Sequence, residues 1–181
     1  MLNGIKYSAL AIRLLAAVPF VAITALASAD ETPGEACKSI VGSYVSSVTD
    51  IEGVFQSRGL LTFSGDGTFT INDSQQGGID GVYEPFSSSQ GAWTCKTGDD
   101  KAIPVQAVGL NFTLPKTSTR SGMGRVDYKA SFDPSAKTMA GTIDLRFTGT
   151  DDLESANPLE IEGDPFEQFQ FTAQKITVPT Q

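Results

Sequence analysis

The chain has 181 residues, 40% of them hydrophobic, and carries 21 acidic against 13 basic side chains, a formal net charge of −8. That length suits one domain, and that charge argues against binding nucleic acid or an anionic membrane surface, since both call for a basic face. There is no histidine, which excludes Ser-His-Asp and Cys-His nucleophiles and every His-ligated metal site.

Residues 1–29 read as a cleavable secretory leader. Lys6 and Arg13 form its positive region, Leu14 to Leu26 is an apolar run broken only by Pro19 and Thr24, and Ala27-Ser28-Ala29 supplies the small residues signal peptidase requires. The run is shorter than the roughly 20 residues that span a hydrocarbon core. Cleavage would leave Asp30 to Gln181, 152 residues at net charge −10, because Lys6 and Arg13 depart with the leader. A secreted or periplasmic location is therefore expected, with no membrane attachment after cleavage. Cys37 and Cys95 are the two cysteines. In an exported chain they predict one disulfide, whose loop of 58 residues contributes about 4 kcal/mol in the chain-entropy model. Two buried thiols are the alternative that a reducing compartment would favour.

Beyond the leader no long segment has helical periodicity. Runs of β-branched and aromatic residues instead end on Gly, Asp, Asn or Pro, the pattern of strands and turns. Strands are predicted over 42–49, 58–63, 68–72, 92–96, 105–114, 125–132, 140–148 and 166–178. Ser64-Gly65-Asp66-Gly67 makes the second and third a hairpin, its glycines supplying the positive φ of a tight turn. Asp133–Lys137 joins 125–132 to 140–148, with Pro134 at the first corner of a type I turn. In this pair Val126, Tyr128, Ala130 and Phe132 share one face with Ile143, Leu145 and Phe147, while polar residues share the other. Arg125, Asp127, Asp144 and Arg146 fall on the wet face, where ion pairs contribute little. Phe169, Phe171 and Ala173 alternate with Gln and Thr in the last strand. Residues 73–90, rich in Gly, Ser and Gln, and 151–164, with six acidic residues, read as loops. Eight strands without crossover helices predict one all-β domain over 30–181, an antiparallel up-and-down barrel. A two-sheet β-sandwich is the alternative.

Few residues carry chemistry. With the cysteines bridged, thiolate reactions fall away, and no phosphate-binding glycine loop or cofactor motif is present. Tyr44, Tyr83 and Tyr128 are either cavity hydrogen-bond donors or core residues with a hydroxyl at the rim. Asp99-Asp100 and Asp151-Asp152 lack the alternating spacing of a calcium loop and read as solvated. Asn72 and Asn111 each head an Asn-x-Ser/Thr sequon, Asn111 within a predicted strand that poorly suits a glycan. The remaining signal is aromatic. Tyr44, Phe63, Phe69, Trp93, Phe112, Tyr128, Phe132, Phe147, Phe169 and Phe171 are the candidate interior residues, which either fill a barrel or line a space for one small ligand.

Gly42-Ser43-Tyr44 opens the first strand, and Gly91-Ala92-Trp93 opens the fourth with Cys95 two residues on. These Gly-x-aromatic openings, in a meander of eight strands with an N-terminal-to-mid-chain bridge, resemble the calycin group: lipocalins and the related barrels of allene oxide cyclase type. Tyrosine replaces the first-strand tryptophan of lipocalins, and no helix pattern follows the last strand, which favours the cyclase-type barrels. The resemblance supplies no catalytic residue. Three functions follow as expectations: binding of a small apolar molecule inside the barrel, a metal-free cyclase or isomerase using the same space, or a filled barrel acting through surface loops.

Overall fold

The computed structural model describes residues 35–80, 84–96, 102–114, 122–148 and 165–179. Eight antiparallel strands form a closed barrel in chain order: β1 Gly42–Asp50, β2 Phe55–Phe63, β3 Thr68–Asp73, β4 Ser89–Cys95, β5 Ile103–Phe112, β6 Met123–Asp133, β7 Thr138–Thr148 and β8 Glu167–Lys175. Closure comes from β1 pairing with β8, from Tyr44↔Lys175 to Asp50↔Phe169. No strand edge is left open, which a sandwich would not achieve. The predicted leader over 1–29, Tyr83, the acidic pairs 99–100 and 151–152, and the predicted loop over 151–164 lie outside the described residues.

Strand faces follow the period-two pattern. In β5, Ile103, Val105, Ala107, Gly109 and Asn111 are buried, while Gln106 and Phe112 face out. In β8, Phe171 and Ala173 are buried between exposed neighbours. The β2–β3 turn is set by Gly67, whose φ of +88° disfavours a side chain, and by the Asp66 carboxylate, which accepts the Thr68 N–H at 2.9 Å. Several predicted bounds move. Ser89 and Gln90, read as loop from composition, pair with Ile71 and Thr70 and so belong to β4. Asp73 likewise closes β3 opposite Gly59. The last strand stops at Lys175, and a short 3-10 helix, Glu35–Ser39, precedes β1.

That helix caps one end. Ile40 is fully buried, Tyr44 Oη donates to its carbonyl at 2.5 Å, and Lys175 Nζ donates to the Ser39 carbonyl at 2.8 Å. Cys37 lies at disulfide-bonding distance from Cys95, with Cα atoms 5.9 Å apart, which ties the cap to β4. Trp93 reinforces the same end: its indole N–H donates to the Ser64 carbonyl at 2.9 Å, and its backbone N–H to that of Gly67 at 2.9 Å. Two residues earlier, a Cβ at Gly91 would overlap the Val108 carbonyl, so only glycine lets β4 and β5 approach this closely.

On the outer face of β6 and β7, like charges stand directly opposed, Arg125 to Arg146 and Asp127 to Asp144. Neighbouring groups along and across the strands resolve the conflict. Asp127 accepts from Arg125 at 2.7 Å and Arg146 at 2.9 Å, and Asp144 from Lys129 at 3.1 Å and Gln168 at 2.9 Å.

Candidate functional site

The barrel interior divides into a filled half and a hollow half. Beneath the cap, aromatic rings pack mostly edge to face: Tyr44 to Phe63 at 5.5 Å, Phe63 to Trp93 at 5.4 Å and Tyr44 to Phe132 at 6.2 Å. Phe63 and Phe69 tilt together at 4.8 Å. Phe69 then meets Tyr128 at 5.4 Å, and Tyr128 meets Phe171 at 5.1 Å. Tyr128 is the upper surface of this plug. Above it opens a cavity of about 240 Å³ that reaches solvent at the end where β1, β3, β5 and β7 finish.

The cavity wall has two chemically distinct arcs. From β6 round to β1 it is apolar, with Val126, Ile143, Leu145, Phe147, Phe169 and Val48. From β2 to β5 it is polar, with Ser57, Asp73, Ser89 and Asn111 each contributed by a successive strand. Ile71 lies below Asp73 on the same phase. Within the polar arc Ser57 Oγ donates to Asp73 Oδ2 at 2.8 Å, and the Gln75 N–H donates to Asp73 Oδ1 at 2.8 Å. Asn111 Nδ2 donates to Ser89 Oγ at 3.1 Å. Asn111 is 7% exposed, and its Oδ1 has no hydrogen-bond partner. That oxygen and the Phe147 ring both rest on the open face of Gly124. A buried acceptor left unpaired costs about 1–3 kcal/mol. It therefore marks a place where a donor is wanted.

The described charged residues of the lining are all acidic. Asp73 lies in the wall, Glu84 and Glu167 lie toward the mouth, and no lysine or arginine is among the described lining residues. Burial, and then the negative charge of Asp73, push the Tyr128 phenol well above its ordinary pKa. The hydroxyl therefore stays protonated and able to donate. Around the mouth Ile51, Val54, Phe55 and Phe166 expose more than half their surface. Among the described residues no group of three or more acidic or cysteine side chains could hold a metal ion.

The ten aromatic candidates thus fall into three places. Phe147, Phe169 and the upper face of Tyr128 line the cavity. Tyr44, Phe63, Phe69, Trp93, Phe132 and Phe171 form or flank the plug, all buried. Phe112 does neither: it is 51% exposed and points outward. The phase of β5 set by Val105, Ala107 and Gly109 puts position 111 inside and position 112 outside, so periodicity overrides residue type. Asn111, a sequon acceptor by motif, is accordingly enclosed, whereas Asn72 is exposed. The polar arc was not among the candidates. Its signal is a polar residue on an otherwise apolar phase near a strand end, as at Ser57, Asp73, Ser89 and Asn111. Among the described residues no helix is long and apolar enough to cross a membrane. No family model matches the chain, and neither a curated protein nor a solved structure matches it.

Proposed function

We propose that this chain is an exported barrel that binds a small, largely apolar molecule in the open half of its interior. The observation that carries the reading is the 240 Å³ cavity, with its apolar arc and aromatic floor, open to solvent at one end. A dry cavity of about 150 Å³ holds benzene, so this volume suits a ligand of roughly ten heavy atoms. Burying about 200 Å² of apolar ligand surface releases roughly 5 kcal/mol, offset by the cost of immobilising the ligand, so this contribution alone supports a dissociation constant no tighter than about 0.2 mM. Of the plug only the Tyr128 face meets the ligand; the rest holds the wall rigid and sets the depth of the space.

The test is saturable binding of an apolar fluorescent probe, measured on the native chain and on Val126→Trp. The indole would fill the hollow half from the β6 wall, so probe binding should disappear while the circular dichroism spectrum is retained. Saturable binding undiminished in a folded Val126→Trp protein would move the site away from the cavity. Export rests on Lys6, Arg13, the apolar run to Leu26 and Ala27-Ser28-Ala29, and the cysteine pair is compatible with an oxidising compartment. Protein recovered from periplasm or medium should begin at Asp30. An intact Met1 on that material would refute cleavage.

A further inference from the structure

We propose that the polar arc receives the ammonium group of an alkylamine-type ligand whose apolar body lies against β6, β7 and β8. This deepens the binding function above and rests on it. Three independent features meet in the arc. The first is sign: Asp73 stands in the wall and Glu167 toward the mouth, with no cation among the described lining residues. A carboxylate ligand would meet like charge there, whereas a cation is drawn in, and the enclosing low-dielectric walls strengthen that preference. The second is the excess of acceptors over donors. Asp73 uses one lone pair on each oxygen, toward Ser57 and Gln75, and keeps the others. Asn111 Oδ1 is buried and unpartnered. An ammonium has three N–H donors and no acceptor, the complement of such a set.

The third feature is the separation of the two arcs. One wall is polar over four successive strands and the opposite wall is apolar, so a bound molecule must itself be two-sided. A head group at Asp73 places its chain across the cavity on Val126, Ile143 and Phe169. Phe147 is 41% exposed at the mouth and shares the face of Gly124 with Asn111 Oδ1. A donor that turns this ring aside reaches the amide oxygen and ends its isolation. The ligand class is thus a protonated amine on an apolar body of roughly ten heavy atoms.

The experiment compares n-octylamine, 1-octanol and octanoate, which differ in head group at nearly constant size, by calorimetric titration of the purified chain. Charge-assisted hydrogen bonds predict that the amine binds about tenfold or more tightly than the alcohol, with octanoate weakest. Asp73→Asn keeps the shape and removes the charge, so it should lower amine affinity about tenfold and leave the alcohol unchanged. Asn111→Leu, which removes the oxygen without opening a void, should also weaken the amine selectively. It provides a second reading if Asp73→Asn fails to fold. Equal affinity for all three ligands, tighter binding of octanoate, or folded variants that lose amine and alcohol alike would overturn the amine assignment while the cavity stays a binding site. Failure of all three ligands to bind the native chain would overturn the cavity reading itself.

Discussion

At the scale of single residues, Asp144 shows how an outward carboxylate becomes part of the folding equilibrium. It is 7% exposed although it lies on the barrel exterior, because Lys129, Arg146 and Gln168 surround it. Desolvation pulls its pKa up, but hydrogen bonds from Lys129 and Gln168 and the charges of Lys129 and Arg146 outweigh this and hold it below the ordinary 3.8. The unfolded chain therefore takes up this proton at higher pH than the folded one. Its stabilisation is complete above the unfolded pKa and is lost as pH falls below about 4 through the folded value. Urea unfolding between about pH 7 and pH 3 should show stability falling in the acid limb. Asp144→Asn should cost about 1 kcal/mol at neutral pH, since Lys129 is largely exposed, and flatten that limb. An unchanged acid limb in the variant would assign the fall to other carboxylates.

At the scale of elements, the disulfide is a clasp between the capping 3-10 helix and β4 rather than a link within the sheet. Reduction should lower stability by about 4 kcal/mol, and so the unfolding temperature by roughly 8–16 °C for a domain of this size. Because the eight strands close on each other without it, the reduced protein should keep its β-type circular dichroism at low temperature. Loss of that spectrum on reduction would mean that the cap is required for closure. The contrast between clasp and strands also separates what was legible in the chain from what was not. β6, β7 and β8 alternate strictly from Val126 to Phe132, Ile143 to Phe147 and Phe169 to Ala173, so both faces could be assigned before any fold was known. Ser64–Gly67 likewise announces its turn. The capping helix spans five residues and leaves no periodic trace. β4 begins on Ser89 and Gln90, whose composition signals a loop and whose pairing comes only from Ile71 and Thr70. The polar arc was hidden for a related reason: hydrophobicity identifies an inward phase, and a serine or asparagine on that phase becomes visible only when the phase is extended past the last apolar residue.

At the scale of the whole molecule, the barrel is polar in the sense of having two unlike ends. The connections at the filled end are brief where described, as in the β2–β3 and β6–β7 turns, and are fastened by Trp93 and the cap. The hollow end carries the wider gaps between strands, from Asp73 to Ser89 and from Phe112 to Met123. Packing that defines the barrel and the open cavity thereby meet mainly at Tyr128, so substitutions at the mouth should leave the rest of the plug undisturbed. Strand direction adds an orientation. The chain enters β1 and leaves β8 side by side at the filled end, where Tyr44 stands opposite Lys175. A segment joined directly before Glu35 or after Pro179 would therefore leave the barrel at its filled end, beneath the plug. A barrel tethered in this way turns its mouth outward, away from the point of attachment, and presents the cavity to the surrounding medium.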